Sequence, residues 1–217
     1  MPTPKVIVPA NGEHISLERA RLHLRVDADN DSPAVHPDDA LITSLITAAR
    51  EWAEDYTGRT ISPKTLELAL DKFPGQEGEI RWWQERVVAD PIVVPCGPLQ
   101  SIISLTYVDG AGATQEITDF QLDTHREPPR IMPAVGASWP AVRQQMNAVL
   151  IRYLAGYALP NESPDTPAML EVFRQAMLLC IGHWYDNRED SSVVKLEDIP
   201  LGAKALLRNY RLHTGLA

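Results

Sequence analysis

The sequence predicts an α+β fold: a four-helix bundle core formed by N- and C-terminal helical pairs, with an inserted antiparallel β domain. Three observations carry this expectation. Apolar residues recur at helical spacing from Leu17 to Tyr56, the period shortens to two between Ile61 and Tyr157, and helical spacing returns from Met169 onward. Neither helical pair can bury its apolar stripe alone, so the pairs must share a core. Residues 1–60 and 159–217 are accordingly expected in a discontinuous bundle, and residues 61–158 in the β insertion.

The first helix is capped by Ser16 and turns Leu17, Ala20 and Leu24 to one face, with Glu18, Arg19, Arg21 and Arg25 opposite. It should stop near Val26, before the turn formers of residues 27–33. A second helix starts around His36-Pro37-Asp38-Asp39, where proline and two carboxylates suit a first turn. Leu41, Leu45, Ala48, Trp52 and Tyr56 mark its stripe, flanked by Ile42, Ile46, Ala49 and Ala53, and Gly58 ends it. In the middle, Thr65–Leu70, Ile92–Val94, Ile102–Val108, Thr114–Ile117 and Ala148–Leu154 have the texture of short strands. Asp109-Gly-Ala-Gly112 makes the third and fourth of these a hairpin. A small sandwich or barrel follows. Beyond Pro164, Met169, Val172, Phe173, Ala176, Leu179, Cys180 and Trp184 define a long helix, and residues 200–212 a last one. Trp52, Phe173, Met177 and Trp184 are the expected bundle core.

Composition excludes several functions. Against 20 Lys and Arg stand 29 Asp and Glu, for a net charge of −9 over 217 residues. Coating nucleic acid or docking on an anionic membrane needs the opposite balance. No run is long and apolar enough to span a membrane. Two cysteines, Cys96 and Cys180, form no C-x-x-C pair and are expected as buried free thiols of a chain made in a reducing cytoplasm.

The motifs with possible chemistry are thin. Asp27-x-Asp29-x-Asp31 matches the first half of a calcium loop, but Ser32 and Asp38 stand where glycine and a bidentate glutamate are needed, so a solvated turn is expected. Cys180 and His183 share a helix face, and two ligands make no zinc site. No nucleophile elbow and no phosphate loop occurs. Trp82-Trp83 is the one candidate stacking platform for a small ligand. Catalytic, metal and cofactor-binding residues are therefore expected to be none, and the residues alone support an acidic, non-enzymatic interaction protein.

The ends of the chain add a resemblance. Leu17–Asp27 resembles the opening helix of the head–tail connector (adaptor) proteins of long-tailed bacteriophages and gene transfer agents, in the longer version with a β insertion. Asp38–Gly58 is similar to that family's second helix. Leu68–Pro74, Pro95–Ile102, Ser138-Trp-Pro140, His183–Glu189 and Ile199–Arg211 follow in the family's order. The first dozen residues and Gln76–Val88 match nothing.

The resemblance implies a virion structural protein, not an enzyme, with no cofactor. It would sit at the head–tail junction, assembled in the host bacterial cytoplasm. Its partners would be the portal protein, further copies of itself in a ring following the portal's twelvefold symmetry, and a stopper or tail-completion protein. DNA would only pass through the channel, and an acidic lining would let it slide. Alternatives are another head-completion or tail-completion protein of stopper type, or a small-ligand-binding module. In the family the C-terminal helix and tail contact the portal, which points here to Lys204, Arg208, Tyr210, Arg211 and Leu212. Arg208 and Arg211 would be neighbours on one helix face. The plainer alternative is that this helix closes the bundle with Leu206 and Tyr210 inside.

Overall fold

The computed structural model describes residues 3–26, 36–75, 90–159, 168–188 and 200–212. The Asp27–Asp31 turn, the Trp82-Trp83 pair and the tail beyond Leu212 lie outside the described residues. The chain divides into two compact units, one drawn from residues 11–62 and 157–213, the other from 1–10, 63–156 and 214–217.

The first unit holds the four α-helices of the described residues: α1 (Leu17–Leu24), α2 (Asp39–Thr57), α3 (Glu171–Asp186) and α4 (Leu201–Leu207). Ser16 caps α1 by accepting the Arg19 N–H on its hydroxyl at 3.2 Å. Arg25 then leaves the helix with φ 56°, and the Val26 N–H returns to the Arg21 carbonyl. Gly58, at φ 68°, closes α2 in the left-handed conformation that glycine adopts without a Cβ clash. Packing runs α1 on α2 and α3, α2 on α3, and α4 on α3 and α2.

One core therefore serves both helical pairs. Ala20, Ile42, Ile46, Ala49 and Ala53 meet Phe173, Ala176, Met177, Cys180, Ile181, Ala203 and Leu207 in it. The buried face of α2 is rotated one residue from the expected stripe. Ile42, Ile46, Ala49 and Ala53 lie at its centre, Leu45, Trp52 and Tyr56 are only half-buried, and Ala48 is exposed. Alanines at the centre let α3 approach closely, so the larger side chains are pushed to the flanks. Phe173 and Met177 are fully buried, whereas Trp52 and Trp184 pack at the margin.

Charged groups complete this unit. Arg50 points inward from α2 and is held by Glu13 at 3.0 Å and by Glu54 at 3.1 Å. Glu54 also accepts the Ile61 N–H at 2.8 Å, and His14 bonds the Ile61 carbonyl at 3.2 Å. Arg21 of α1 grips Asp39 at the start of α2 through two nitrogens. Beside it Asp38 accepts from the Tyr185 hydroxyl at 2.6 Å and from Arg188 at 2.9 Å, tying α2 to the end of α3.

The second unit is antiparallel β. Its strands are β1 (Lys5–Val8), β2 (Lys64–Leu70), β3 (Ile92–Val93), β4 (Leu99–Val108), β5 (Thr114–Glu116), β6 (Phe120–Asp123), β7 (Arg130–Pro133) and β8 (Val149–Ala155). A five-stranded sheet runs β1-β2-β8-β4-β5, and a three-stranded sheet runs β3-β7-β6. Alternation sets the inner face: Leu66 and Leu68 on β2, and Val149, Ile151, Tyr153 and Ala155 on β8, are buried. Ile92 and Ile131 of the smaller sheet join the same core. Phe73 and Trp139 stack parallel with centroids 4.6 Å apart, and the indole N–H donates to the Asp90 carbonyl at 3.0 Å. Asp109 shapes the β4–β5 turn by accepting from the Ala111 and Ala113 N–H groups, with Gly112 at φ 90°.

The N-terminus departs from the expected boundary. Lys5–Val8 is not part of the bundle; it pairs antiparallel with β2, Lys5 opposite Glu67 and Val6 opposite Leu66. Proline on both sides and exposure on both faces hide this strand in the sequence, because a fully exposed edge has no alternation to betray it.

Candidate docking surface

The sequence-predicted contact residues gather where α4 ends against the C-terminus of α2. Helix α4 is shorter than its apolar period implies. It stops at Leu207 and continues as a 3-10 turn, Arg208–Tyr210. Arg211 is then extended, at φ −64° and ψ 127°. Arg208 opens the 3-10 turn and Arg211 stands at its end, three residues on. The chain leaves the helix through a tertiary hydrogen bond: the Leu212 N–H donates to the Thr57 carbonyl at 2.7 Å, which another helical turn would forbid.

Each of the five residues has a defined place. Lys204 is half-buried, and its carbonyl accepts from the Tyr56 hydroxyl at 3.3 Å. Tyr210 packs its ring on Phe173, centroids 5.4 Å apart, so it anchors the turn to the bundle. Leu212 is half-buried beside Gly58. Arg208 is exposed. Arg211 is exposed too, but fixed: its Nε donates to the Tyr56 carbonyl at 3.1 Å, and its guanidinium lies 5.0 Å from the centre of the Tyr56 ring. The closing of the bundle and the display of cations thus fall to different residues of one segment.

Two residues of this surface were not expected. By spacing Tyr56 belongs to the stripe of α2, yet it is also the plate on which Arg211 lies, itself stacked on Trp52 at 5.4 Å. Arg59, just past the glycine cap, donates from Nε to the Tyr210 carbonyl at 2.7 Å. No local pattern announces either, since both act across about 150 residues of sequence.

The remaining candidates carry less. Cys180 is buried, and burial pushes its thiol up to about 12, far from the thiolate that metal binding or catalysis requires. His183 is half-buried on α3. Asp38, the residue at the twelfth position of the calcium-like pattern, is engaged by Tyr185 and Arg188. Those hydrogen bonds hold its carboxyl below the ordinary range. Among the described residues no group of three or more His, Cys, Asp or Glu side chains is placed to hold a metal, and no helix is long and apolar enough to cross a membrane. An open cleft of about 620 Å³ is lined by Glu13, His14, Ser16, Arg19, Glu171 and Arg174 with Leu159. Its arginines and glutamates largely answer one another, for Glu171 pairs with both Arg19 and Arg174.

The described residues thus form a helical unit and an antiparallel β unit, and among them no metal-binding group is assembled. Residues 14–107 match the family described as phage gp6-like head-tail connector protein. A chain from the "Neck of empty GTA particle computed with C6 symmetry" has the same fold, with a TM-score of 0.72 at 23% identity, over 99% of this chain and 98% of that one. A chain from the "Virion of native gene transfer agent (GTA) particle" matches with a TM-score of 0.71 at 21% identity, over 99% and 98%. One from the "Neck of native GTA particle computed with C12 symmetry" matches at 0.68 and 22%, over the same shares. No curated protein matches the sequence. The sequence match and the shared fold bear out the resemblance to head–tail connector proteins.

Proposed function

We propose that this chain is a structural component of a phage-like particle, an adaptor that forms a ring under the portal at the head–tail junction and extends the DNA channel towards the tail. The observation that supports this best is the fold shared over the full length of both chains with neck proteins of gene transfer agent particles. The connector-family match over the first helices and strands agrees with it. On this reading the partners are other copies of the chain, the portal protein, and a stopper or tail-completion protein on the tail side. DNA passes without being bound by sequence. The work is mechanical, and no cofactor enters it.

The chemistry suits the role. A ring is made by a heterologous contact, one face of a subunit against a different face of its neighbour. A chain of net charge −9 repels DNA, so a channel lined by it does not hold the duplex back. Lys204, Arg208 and Arg211 are the proposed portal-side contacts, while Tyr210 and Leu212 fix their segment to the bundle.

Deleting the chain from the producing cell tests the role. The expected product is heads that package DNA but carry no attached tails, with activity restored by the chain supplied in trans. Complete, tailed particles from the deletion would contradict it.

A further inference from the structure

We infer that the β unit joins a second copy of the chain edge to edge: β1 of one copy lies along the open half of β4 in the other, and β5 of that other copy lies along the open half of β2 in the first. One antiparallel sheet then runs across the contact. This deepens the adaptor reading and rests on it for the ring; what it adds is the surface that makes the ring.

Both ends of the five-stranded sheet are half-covered, and the covered halves are opposite ones. On one side β1 pairs only with Thr65–Glu67 of β2. Leu68–Leu70 have β8 as a neighbour and, among the described residues, no strand on their other side. At the far side β5 pairs only with Thr106–Val108 of β4, and the Ile117 N–H adds one bond to the Leu105 carbonyl. The stretch Leu99–Ser104 continues beside β8 with no strand of the described residues along its outer side. Counted across the strands between them, Val8 shares a row with Ser101, Val6 with Ile102, and Ala69 with Glu116. Strand β1 thus occupies the rows that β5 leaves open, and β5 occupies rows that β1 leaves open.

Direction and side chains agree with this fit. All neighbours in the sheet are antiparallel, so β1 runs opposite to β4, and β5 opposite to β2. Two copies set side by side in the same rows place β1 and β5 end to end in one strand position, each antiparallel to the strands on both sides. Val6, Ile7 and Val8 are exposed β-branched residues on a sheet edge, a place that proteins normally guard with charge. Val6 stands in the row of the buried Leu66 and Tyr153, whose far end is the half-buried Ile102. In the joined sheet Val6 of one copy falls beside Ile102 of the other, and the inner apolar row continues. Ser101 and Ile103, both exposed on the open half of β4, gain a neighbouring strand. Pro4 and Pro9 bound β1, which keeps the added strand short. A contact between two different edges of one sheet is heterologous, as a ring requires, and closing the ring leaves no edge free.

The test places cysteine pairs on the two halves of the seam: Val8→Cys with Ser101→Cys, and Ala69→Cys with Glu116→Cys. Opposed residues of antiparallel strands have Cα atoms about 4.5–5.5 Å apart, a span that a disulfide bridges. Within one chain the members of each pair lie three strand spacings apart, about 14 Å, and cannot close on each other. Particles from cells making each variant in place of the parent are oxidised and run on a gel without reducing agent. The parent, with Cys96 and Cys180 alone, sets the background. Each double variant should give a ladder of multiples of one chain, and each single variant should stay a single chain. The two single variants of a pair, made together, should give dimers and nothing longer. Single-chain bands alone from either double variant, in particles that contain it, overturn the inference and leave the adaptor reading intact. Dimers from a single variant overturn it too, because the contact is then symmetric. If no particle contains the chain, the adaptor reading fails, and oxidation of the purified double variants decides the inference. A ladder there keeps it, and single chains end it.

Discussion

Arg50 and Glu54 stand one turn apart on α2 as an ion pair whose side chains are only 8% and 7% exposed, Nη1 to Oε2 3.1 Å. Glu13 completes the site from the segment before α1, and the second oxygen of Glu54 takes the Ile61 N–H. Burial lowers the proton affinity of Arg50, but the carboxylates of Glu54 and Glu13 outweigh it and hold the guanidinium above its ordinary value. The network fastens the segment before α1 to Arg50 and the segment after α2 to its partner Glu54, so both are tied to one ion pair.

Removing one partner of such a pair strands the other. Glu54→Ala should destabilise the helical unit by about 3–5 kcal/mol, since it leaves Arg50 under-compensated and orphans the Ile61 N–H. Glu54→Gln keeps an acceptor for that N–H and should cost less. Urea denaturation of the full chain checks both. A loss for Glu54→Ala no larger than that of an exposed ion pair, about 1 kcal/mol or less, would contradict the buried network.

Acid should loosen the start of α2. The Arg21 hydrogen bonds hold the Asp39 carboxyl below its ordinary value, and the Tyr185 hydroxyl and then Arg188 do the same for Asp38. A carboxylate depressed on folding stabilises fully above its unfolded pKa, near 4, and loses that contribution as pH falls through the folded value. Stability of the parent minus that of Asp39→Asn should be constant above about pH 5 and shrink below about pH 4. A difference that stays constant down to pH 3 would remove Asp39 from the account.

The two compact units are proposed to unfold separately, the β unit being a domain inserted into the bundle. Phe173 is fully buried between Tyr157 and Tyr210, so Phe173→Ala should cost about 3–5 kcal/mol in the helical unit. Trp139→Ala removes the ring stacked on Phe73 and should cost about as much in the β unit. Calorimetry should show two transitions, each variant lowering one. A single transition moved equally by both variants would contradict separate folding.

The parts of this fold that announce themselves locally were legible in the sequence. Ser16 and Gly58 punctuate helices by hydrogen bonding and backbone freedom alone, and Asp109–Gly112 makes its turn in the same way. What depends on distant partners was not. Strand β7 is flanked and ended by Pro128, Pro129 and Pro133, which mask a strand whose partners are β3 and β6. Arg50 and Glu54 have the spacing of a solvated face, and only the approach of Glu13 and Ile61 makes them core. The basic character of residues 200–212 was visible as composition, but the platform under Arg211 belongs to α2. The end of α4 is set by Thr57, not by its own residues.

Electron cryomicroscopy of the purified portal mixed with this chain tests the central claim most directly. The expected map shows a closed ring of copies on one face of the portal, coaxial with its channel, with the end of α4 against portal density and the bundle continuing the lumen. A portal that stays bare at saturating concentrations of the chain, or a chain bound at scattered sites without a ring, would contradict it.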